Sequence, residues 1–306
     1  MSPIIHVVIV NYRSVAYLTD CLTSLAQEPV TSILLFDNDS GDKERDALTA
    51  LASGHPQVKL ILGNHNLGFG AGVNHAISRL GAEDDDLVWI LNPDTIVFAG
   101  AAMALANYMS SERSMVVSPL ILSGLQQEPV IWFAGGSIST RRGASSHWGY
   151  GESAASAPKV PIDCTFITGA APMMAVRTWK LLGGYREDLF LYWEDADLSL
   201  RARELGVELW LVPDGRVWHR VGASSPTESG LSALFYYYMQ RNRLLVNSSH
   251  GSKFALLVGC GVGETTRLLA KAFMQERHHR WQKTCASLAG LRDGALGITG
   301  PRLERR

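Results

Sequence analysis

The sequence predicts an α/β protein with a mixed, mainly parallel β-sheet flanked by helices, and with a helical extension at the C-terminal end. Three observations support this fold class. Strand and helix patterns alternate through the first hundred residues, which is typical of βαβ units. The strand patterns are almost continuously apolar, as in a sheet that is covered on both faces. Polar residues follow these strands at their carboxyl ends, where ligands bind in such sheets.

Four strand patterns are separated by three helix patterns in the first hundred residues. The strand patterns cover residues 4–12, 32–38, 58–64 and 87–94. The helix patterns cover residues 15–27, a segment through Leu48 and Leu51, and residues 67–80, which begin with a glycine-rich turn. Because the strands are predicted to be parallel, their carboxyl ends lie at one edge of the sheet. Four residues occupy those ends: Tyr12, Asp37, Asn64 and Asp94.

The second half of the chain has a less regular pattern. Gly, Ser and Ala dominate residues 134–158, so residues 120–160 are predicted to form a long excursion over the surface. Order is expected to return at residues 166–176, followed by a helix from about Thr178 and by strands at 207–214 and 216–219. We place the main domain at residues 1–250, with halves at about 1–118 and 119–250, and a helical basic extension at 251–306.

Composition argues against several classes of protein. A hydrophobic fraction of 46% and a charged fraction of 19% are typical of a globular protein rather than a disordered one. Cys21, Cys164, Cys260 and Cys285 form no C-x-x-C pair, which argues against a zinc knuckle or a disulfide framework. The first residues lack the basic and apolar regions of a signal peptide, so we expect a cytoplasmic protein.

Charge is distributed unevenly along the chain. Residues 265–306 hold nine Lys and Arg against three acidic residues, whereas residues 1–264 hold 19 basic and 26 acidic residues. A basic tail on an acidic body indicates an anionic partner such as a membrane surface, although a solvated basic helix explains it equally well. Nucleic acid is not expected, because the tail carries few aromatic residues near its charges, Trp281 among them, and no binding motif. We leave open whether the protein forms a homodimer.

Asp94 is a candidate metal ligand. It ends the fourth strand in the segment "LNPDT", where the residue two positions earlier is Asn92 rather than a second acid. Mg²⁺ and Mn²⁺ prefer oxygen ligands and often take one or two carboxylates, with waters and substrate phosphates completing the shell. The alternative is that Asp94 is only the polar end of a strand. His219 is either a structural histidine or a further ligand, and the small residues 222–225 follow it.

Asp37 and the glycine-rich turn are candidates for binding a nucleotide. Asp37 could accept hydrogen bonds from a base or ribose, or could form an Asx-turn or a helix cap. The turn contains Asn66, Gly68 and Asn74, but it lacks the spacing and position of a dinucleotide-binding fingerprint. Its small residues would still let the backbone and an asparagine approach a phosphate at a helix N-terminus.

Glu194 and Asp195 open a predicted helix over residues 192–206, whose apolar face is formed by Leu198, Ala202 and Leu205. Acidic residues in a first turn complement the helix dipole, and Asp197 can pair with Arg201 four residues later. The alternative is functional: a carboxylate held at the rim of the sheet can act as a general base.

Residues 256–270, "LLVGCGVGETTRLLA", look like the glycine motif of a class I methyltransferase. That fold needs well over a hundred residues after the motif, and here the 36 residues after Ala270 read as helical and basic. We therefore reject this interpretation. The segment is also too short to span a bilayer, and as an apolar patch joined to basic helices it fits an interfacial element better.

Taken in order, the motifs resemble glycosyltransferase family 2, the inverting enzymes of the GT-A fold, and within it the rhamnosyltransferase-like branch. The resemblance runs from about Ile5 to Arg243. It rests on "VVIVNYRSVAYLTDCLTSL", "DNDSGD", "NLGFGAGVNHAI", "LNPDT", "FITGAAPMMAVRTWKLLGGYREDLFLYWEDADLSLRARELG", "VWHRVGAS" and "YYYMQRNRLLV". The segment "LAGLRDGALG" is similar to the C-terminal tail of that branch.

The resemblance implies a role for each candidate residue. Tyr12 and Asp37 would hold the nucleotide base, and Asn66 with the glycine loop, including Gly68 and Asn74, would flank the ribose and diphosphate. Asp94 would be the metal-binding member of the D-x-D motif and His219 a second ligand. Asp195 would be the catalytic base, with Glu194 beside it positioning the acceptor. Asn92 replaces the first acid of D-x-D, as it often does in this branch, and would be an accessory contact.

The resemblance also implies a reaction: inverting transfer of a sugar, with dTDP-L-rhamnose the leading donor, assisted by Mn²⁺ or Mg²⁺. The acceptor would be a lipid-linked or polysaccharide intermediate of cell-wall or surface glycan synthesis, and the protein would be cytoplasmic or peripheral on the inner face of the membrane. Three alternatives stay open: another hexose from a UDP- or GDP-sugar, nucleotidyl transfer, and a non-catalytic glycan-binding module.

Overall fold

A computed structural model describes residues 3–109, 113–220 and 230–302. Within these ranges the chain forms twelve strands and ten α-helices. The strands are β1 (Ile5–Asn11), β2 (Ser32–Asp37), β3 (Val58–Leu62), β4 (Leu87–Leu91), β5 (Thr95–Val97), β6 (Met115–Leu125), β7 (Glu128–Phe133), β8 (Gly136–Ser139), β9 (Ala144–His147), β10 (Ile162–Asp163), β11 (Met173–Ala175) and β12 (Glu208–His219).

Helices cover the sheet and form the C-terminal part of the molecule. They are α1 (Val15–Leu25), α2 (Asp42–Ser53), α3 (Phe69–Ile77), α4 (Ala101–Tyr108), α5 (Val176–Leu182), α6 (Glu194–Glu204), α7 (Ala233–His250), α8 (Lys253–Val258), α9 (Val262–Ala270) and α10 (Arg280–Leu296). Short 3-10 turns occur at Ala154–Ser156 and Glu187–Leu189, and a π-helical turn at Lys271–Gln275.

One sheet organises the fold, in the order β10-β12-β6-β11-β4-β1-β2-β3, with β5 beside β12 and β7 beside β6. Strands β3, β2, β1 and β4 are mutually parallel, and β6 is parallel to β12. Strand β11 lies antiparallel between β4 and β6. The mixed, mainly parallel sheet flanked by helices confirms the predicted fold class.

The first strand lies at the centre of the core because both of its faces are covered. Every residue of β1 is buried, and the helix α1 packs its predicted face, Leu18, Leu22 and Leu25, against the sheet. The parallel register aligns Asn11 with Asp37 and Ile9 with Leu91. The carboxyl ends of these strands therefore form one edge of the sheet, as the sequence predicts.

The structure differs from the sequence-based prediction in three places. Residues 120–160 are not an irregular excursion, because β6 and β7 pair in the main sheet and β8 and β9 form a separate hairpin. The strands predicted at 207–214 and 216–219 are one strand, β12, with a register shift between Val212 and Arg216. Leu205 lies beyond the end of α6 and is 51% exposed, so it does not belong to the apolar face of that helix.

The C-terminal helices pack closely on one another. Helix α10 lies along α7, and its glycines leave no room for a side chain: a Cβ at Gly290 would lie 2.2 Å from the Tyr237 carbonyl oxygen, and one at Gly294 would lie 2.7 Å from that of Arg241. Residues 256–270, whose glycine motif we reject as a methyltransferase signature, lie largely in α8 and α9. Every helix in the described ranges is too short or too polar to cross a membrane.

Candidate active site

Asp94 and His219 lie side by side at the edge of the sheet. Strand β5 follows Asp94 directly and pairs antiparallel with the end of β12, with Thr95 opposite His219. This pairing places the His219 Nε2 atom 3.1 Å from the Asp94 Oδ1 atom, and both side chains are buried. The two candidate metal ligands, remote in the sequence, are therefore in direct contact.

Asn92 also reaches this pair, since its Nδ2 atom lies 3.5 Å from His219 Nε2. On the other side of the imidazole lies Trp132 of β7, whose ring is edge-on to it with the ring centroids 4.6 Å apart. Trp132 is in turn edge-on to His147, a half-buried histidine whose pKa is lowered mainly by desolvation. Strand β7 thus supplies one wall of the site.

The donor set of this pair fits a hard divalent cation. It provides one carboxylate and one imidazole, and no cluster of three or more His, Cys, Asp or Glu that could hold a metal occurs in the described parts of the chain. Mn²⁺ and Mg²⁺ are commonly held by few protein ligands together with waters and substrate phosphates. The Nδ1 atom of His219 is buried and has no hydrogen-bond partner among the residues that the structure describes.

Asp195 occupies the first turn of α6 and is half-buried. Its Oδ2 atom accepts a hydrogen bond from the Gly169 backbone N–H at 3.0 Å, and its Oδ1 atom accepts one from the Ala196 N–H at 2.7 Å. Ala170, which directly follows Gly169, accepts a hydrogen bond from the Asn92 N–H through its carbonyl oxygen. Adjacent residues of one loop therefore hold Asp195 and the end of β4, so the candidate base and the Asp94–His219 pair share one edge of the sheet.

Glu194 is buried beside Asp195, and its Oε2 atom has no hydrogen-bond partner among the described residues. Burial, together with the negative charge of Asp195, raises the pKa of Glu194 to about 8. Burial also raises the pKa of Asp195, against the lowering effect of its backbone hydrogen bonds. The two adjacent carboxyl groups titrate as a coupled pair, in which ionisation of Asp195 raises the pKa of Glu194.

The segment before these acids has an unusual backbone. Phe190, Tyr192 and Trp193 all have positive φ values, between 65° and 73°, a region that residues with side chains rarely adopt. The Phe190 carbonyl oxygen accepts a hydrogen bond from the Phe69 N–H at 2.9 Å. A Cβ on Gly68 would lie 2.1 Å from that oxygen, so only glycine permits this approach. The glycine-rich turn and the acid-bearing segment are thereby joined.

Asp37 is fully buried and lies at the end of β2. Its carboxylate accepts hydrogen bonds from Asn11 Nδ2 at 3.1 Å and from the Ser40 hydroxyl and N–H, and Arg45 Nε lies 3.5 Å away. The Ser40 contacts form a local turn, as expected from the alternative interpretation in which Asp37 has a structural role. Tyr12 directly follows Asn11, the β1 residue opposite Asp37, but its side chain is 40% exposed, with the Arg13 guanidinium over its ring.

Asn66 shapes the glycine-rich turn. Its Oδ1 atom accepts hydrogen bonds from the Gly68 N–H at 2.9 Å and from Asn38 Nδ2 at 3.0 Å. Asn38, which follows Asp37, also donates to the Gly68 carbonyl and accepts from the Leu67 N–H. These contacts connect the end of β2 to the turn before α3.

Asn74 lies in α3, the helix that follows the glycine-rich turn, and both polar atoms of its side chain are hydrogen-bonded within the protein. Its Nδ2 atom donates to the Tyr185 carbonyl at 2.7 Å and to Glu187 Oε1 at 2.9 Å, while its Oδ1 atom accepts from the Tyr185 N–H. The structure therefore gives Asn74 a bridging position between α3 and the residues before α6.

Sequence reasoning missed Trp132, Gly169 and Asn38. Trp132 lies in the stretch that we expected to be irregular, so its contact with His219 had no signal in the sequence. Gly169 belongs to the quoted "FITG" segment, but its hydrogen bond to Asp195 depends on the tertiary fold. Asn38 directly follows Asp37, and a second polar residue at that strand end is the one signal that could have indicated it.

The fold and this edge of the sheet define a GT-A-type glycosyltransferase that uses a nucleotide-sugar donor. The family model described as "Glycosyl transferase family 2" matches residues 6–169, more than half of the chain. The chain therefore belongs to glycosyl transferase family 2.

Curated relatives agree with this assignment. The chain is 28% identical over 246 residues to the N-acetylglucosaminyl-diphospho-decaprenol L-rhamnosyltransferase of Mycobacterium tuberculosis, from strains CDC 1551 and H37Rv. The match covers 74% of this chain and 78% of the relative.

Solved structures share the fold at low sequence identity. GalNAc-T7 with UDP, GalNAc and Mn²⁺ superposes with a TM-score of 0.60 at 16% identity over 78% of this chain, which spans about half (48%) of that protein. The mannosyltransferase PcManGT from Pyrobaculum calidifontis, in complex with GDP-Man and Mn²⁺, gives 0.60 at 11% identity and covers 96% of this chain and 88% of its own. S. aureus TarS 1–349 gives 0.56 at 14% identity, with coverages of 95% and 80%.

Proposed function

We propose that this protein is an inverting rhamnosyltransferase that moves L-rhamnose from dTDP-L-rhamnose to a hydroxyl of a lipid-linked or polysaccharide acceptor in cell-wall or surface glycan synthesis. The observation that carries the choice of sugar is the relative from Mycobacterium tuberculosis, whose name describes rhamnosyl transfer to a diphospho-decaprenol-linked sugar. The match extends over about three quarters of both chains.

The donor would lie along the carboxyl ends of β1, β2 and β4. We assign the nucleoside to Tyr12 and Asp37, and the ribose and diphosphate to the turn formed by Asn66 and Gly68, with Asn74 supporting the turn from α3. The connection of Asn66 to Asn38, next to Asp37, supports this assignment because it joins the two parts of the site. The exposure of the Tyr12 ring leaves it available to a base.

Asp94 and His219 would hold the divalent cation, with Asn92 as an accessory contact. When bound, Mn²⁺ or Mg²⁺ supplies positive charge that stabilises a departing nucleoside diphosphate. The complexes of GalNAc-T7 and PcManGT with Mn²⁺ support the choice of metal. This chain contributes the ligands and, through Trp132, an apolar wall beside the His219 imidazole.

Asp195 would be the general base. It takes the proton from the acceptor hydroxyl as that oxygen attacks the anomeric carbon on the face opposite the nucleotide, so a single displacement inverts the configuration. General-base catalysis contributes typically ~10²–10⁴-fold, and positioning of the two substrates supplies much of the remaining acceleration. The backbone hydrogen bonds to Asp195 fix the carboxylate and favour its ionised form.

Glu194 would position the acceptor. Because Glu194 is neutral near pH 7, its carboxyl can donate a hydrogen bond as well as accept one. Its buried Oε2 atom has no hydrogen-bond partner in the described part of the chain, which supports a polar group that a substrate hydroxyl satisfies.

A lipid-linked acceptor would require access to a membrane surface. The turn at residues 271–281, which we call the basic apolar turn, exposes Phe273, Met274 and Trp281. Lys271, Arg277 and Arg280 lie in the same turn, so it combines apolar and positive side chains as interfacial elements do. We place the protein in the cytoplasm, peripheral on the inner face of the membrane.

A nucleotide-sugar panel read by thermal shift, with and without Mn²⁺, tests this proposal. We expect dTDP-L-rhamnose to stabilise the protein more than UDP- or GDP-hexoses, and Mn²⁺ to increase the shift. A larger shift with a UDP- or GDP-sugar would replace rhamnose by another hexose. Release of pyrophosphate from a nucleoside triphosphate and a sugar phosphate would instead indicate a nucleotidyltransferase.

A further inference from the structure

The residues directly before the candidate base form a segment with a strained backbone. We call residues 187–193 the acid loop, because it ends directly before Glu194 and Asp195. Three of its residues, Phe190, Tyr192 and Trp193, have positive φ values without being glycine. Such conformations persist only when the surrounding structure imposes them. The contacts made by the loop carbonyl groups therefore show which residues hold the loop in place.

Asn242 of α7 makes those contacts with one side chain. Its Nδ2 atom lies 3.0 Å from the Leu189 carbonyl oxygen and 2.8 Å from each of the Leu191 and Tyr192 carbonyl oxygens. The side chain is fully buried. Three carbonyl groups of the acid loop therefore converge on a single amide nitrogen, and the last two belong to residues just before the catalytic pair.

Arg241 holds the other side of the loop and extends the contact to the C-terminal end of the described chain. Its Nη2 atom donates to the Leu189 carbonyl at 2.7 Å, and its Nη1 atom donates to the Gly300 carbonyl. The Gly300 N–H donates in turn to the Asp188 carbonyl at 2.7 Å. Arg241 Nε also donates to Asn242 Oδ1 at 2.8 Å, so the two side chains fix each other.

Aromatic packing completes the contact between α7 and the loop. The Phe190 ring lies against that of Tyr238, with centroids 5.5 Å apart, and the Arg241 guanidinium lies over the Tyr238 ring, 4.8 Å from its centroid. On its opposite side the loop meets the glycine-rich turn through the Phe69 N–H and the Phe190 carbonyl. The acid loop is therefore held between the candidate donor turn and α7.

We propose that Asn242 and Arg241 are positioning residues for the glycosyl-transfer step: from α7 they impose the backbone of the acid loop and thereby the placement of the Glu194–Asp195 carboxylates. The C-terminal residues around Gly300 act through the same contact, so the C-terminal extension supports the chemical step as well as any surface contact. The proposal rests on the proposed function in one respect, the assignment of Asp195 as the base.

The chain offers a matched control on the same helix. Asn247 is also a buried asparagine of α7, but its Nδ2 atom donates at 2.8 Å to the Arg243 carbonyl within its own helix and does not reach the acid loop. Asn242→Ala and Asn247→Ala therefore remove the same side chain from the same helix. The loss of a buried asparagine is common to both variants, and the loss of the loop contacts is confined to Asn242→Ala.

The experiment measures kcat and KM for donor and acceptor, the donor Kd by calorimetry, and the pH profile of kcat. For Asn242→Ala we expect kcat to fall by about 10²-fold, the effect of misplacing a catalytic group by about 1 Å, while the donor Kd changes by less than about twofold. Arg241→Lys should retain more activity than Arg241→Ala, because the ammonium group can still donate to one of the two carbonyls. The acidic limb of the pH profile should move to lower pH in Asn242→Ala, since a loosened loop hydrates Asp195.

Two results would overturn the proposal. One is a folded Asn242→Ala protein whose kcat stays within about threefold of the wild-type kcat, far from the expected loss of about 10²-fold. The other is a parallel loss of kcat and donor affinity in both alanine variants, which indicates general destabilisation.

Hydrogen exchange separates this proposal from the proposed function. Faster exchange in a peptide that covers residues 187–197 of Asn242→Ala, with no change there in Asn247→Ala, supports the positioning contact whichever sugar is transferred. Unchanged exchange in that peptide overturns it. If the loop loosens in Asn242→Ala but Asp195→Asn retains full turnover, the positioning contact stands and the assignment of the base is wrong.

Discussion

The Asp94 carboxylate and the His219 imidazole lie 3.1 Å apart, although 125 residues separate them in the sequence. The contact exists because β5 turns back from the end of β4 and pairs with the last residues of β12. A carboxylate without a second acid two residues earlier is a weak metal site on its own. The pairing of β5 with β12 brings His219, a further candidate ligand, to Asp94, so we do not expect the Asn92 of "LNPDT" to make the site inactive.

We expect His219→Ala to raise the Mn²⁺ concentration needed for half-maximal activity by about 10-fold or more, the scale on which loss of a supporting group weakens metal affinity. Asp94→Asn should have a larger effect, because it also removes the negative charge. Titration of activity with Mn²⁺ at saturating donor measures both. His147→Ala is the control, because this half-buried histidine contacts Trp132 rather than Asp94. An unchanged metal requirement in His219→Ala would remove His219 from the ligands.

Asp195→Asn should reduce transfer to near the background rate while the nucleotide still binds, because the amide cannot take a proton from the acceptor. Loss of a general base typically costs ~10²–10⁴-fold in rate. Turnover and the Kd of the nucleoside diphosphate, measured on the same preparation, check this. Glu204→Gln is the control on the same helix, since its carboxylate is exposed and pairs with His250. Retained turnover in Asp195→Asn would contradict the assignment of the base.

The Glu194–Asp195 pair predicts a bell-shaped dependence of kcat on pH. Activity rises with pH as Asp195 loses its proton, at a pH above that of an ordinary aspartate because burial raises its pKa. Activity then falls through about pH 8, where Glu194 ionises and can no longer donate a hydrogen bond. Glu194→Gln stays neutral, so it should retain the acidic limb and lose the alkaline fall. An alkaline limb that persists in Glu194→Gln would show that another group titrates there.

The same pair gives a prediction for stability. Glu194 has a folded-state pKa above its unfolded value, so the folded protein binds more protons between about pH 4.5 and 8. Its contribution to the free energy of unfolding therefore falls as pH rises through this window. Urea titrations at pH 5 and pH 8 should show a smaller loss of stability for Glu194→Gln than for the wild type. Equal losses would argue against a buried, protonated Glu194.

The sequence was sufficient for the nucleotide half of the fold because each strand there is a continuous apolar run with a polar residue at its end. Asp37 and Asp94 follow from such local signals, and Asp195 follows from the acidic start of a predicted helix. Strands β8 and β9 could not be predicted, because the Gly- and Ser-rich composition of residues 134–158 has no clear period. Trp132 and β7 lie just before that range, and the contact of Trp132 with His219 depends on the tertiary fold. The contacts of Asn242 could not be predicted either, since they join α7 to carbonyl groups about fifty residues away.

Gly68→Ala tests the contact between the glycine-rich turn and the acid loop. A Cβ at this position would lie 2.1 Å from the Phe190 carbonyl oxygen, so the turn and the loop must separate. We expect lower kcat and weaker donor binding together, because both sides of the site move. Gly81→Ala is a matched control: Gly81 also has a positive φ, but a Cβ there would meet no atom within 4 Å. Equal effects of the two substitutions would show that backbone strain alone causes the loss of kcat and donor binding.

The basic apolar turn predicts binding to anionic membranes. Deleting the C-terminal helices is a poor test, because it also strips α10 from α7 and removes the Gly300 contact with the acid loop. Substituting Phe273, Met274 and Trp281 by Ser leaves this packing in place, since these side chains are 37%, 78% and 65% exposed. We expect the triple variant to lose sedimentation with vesicles of phosphatidylcholine and phosphatidylglycerol, while turnover of a water-soluble acceptor is unchanged.

Charge and apolar area contribute separately to this binding, so each has its own measurement. Wild-type binding should weaken as the phosphatidylglycerol fraction falls or as salt rises, because about 1 kcal/mol per basic residue comes from attraction to the anionic surface. Replacing Leu125 and Val160 by Ser is the control, since both are exposed apolar residues far from the C-terminal helices in the sequence. If the wild-type protein ignores the vesicles, or if the control loses binding as fully as the triple variant, this turn is not the membrane contact.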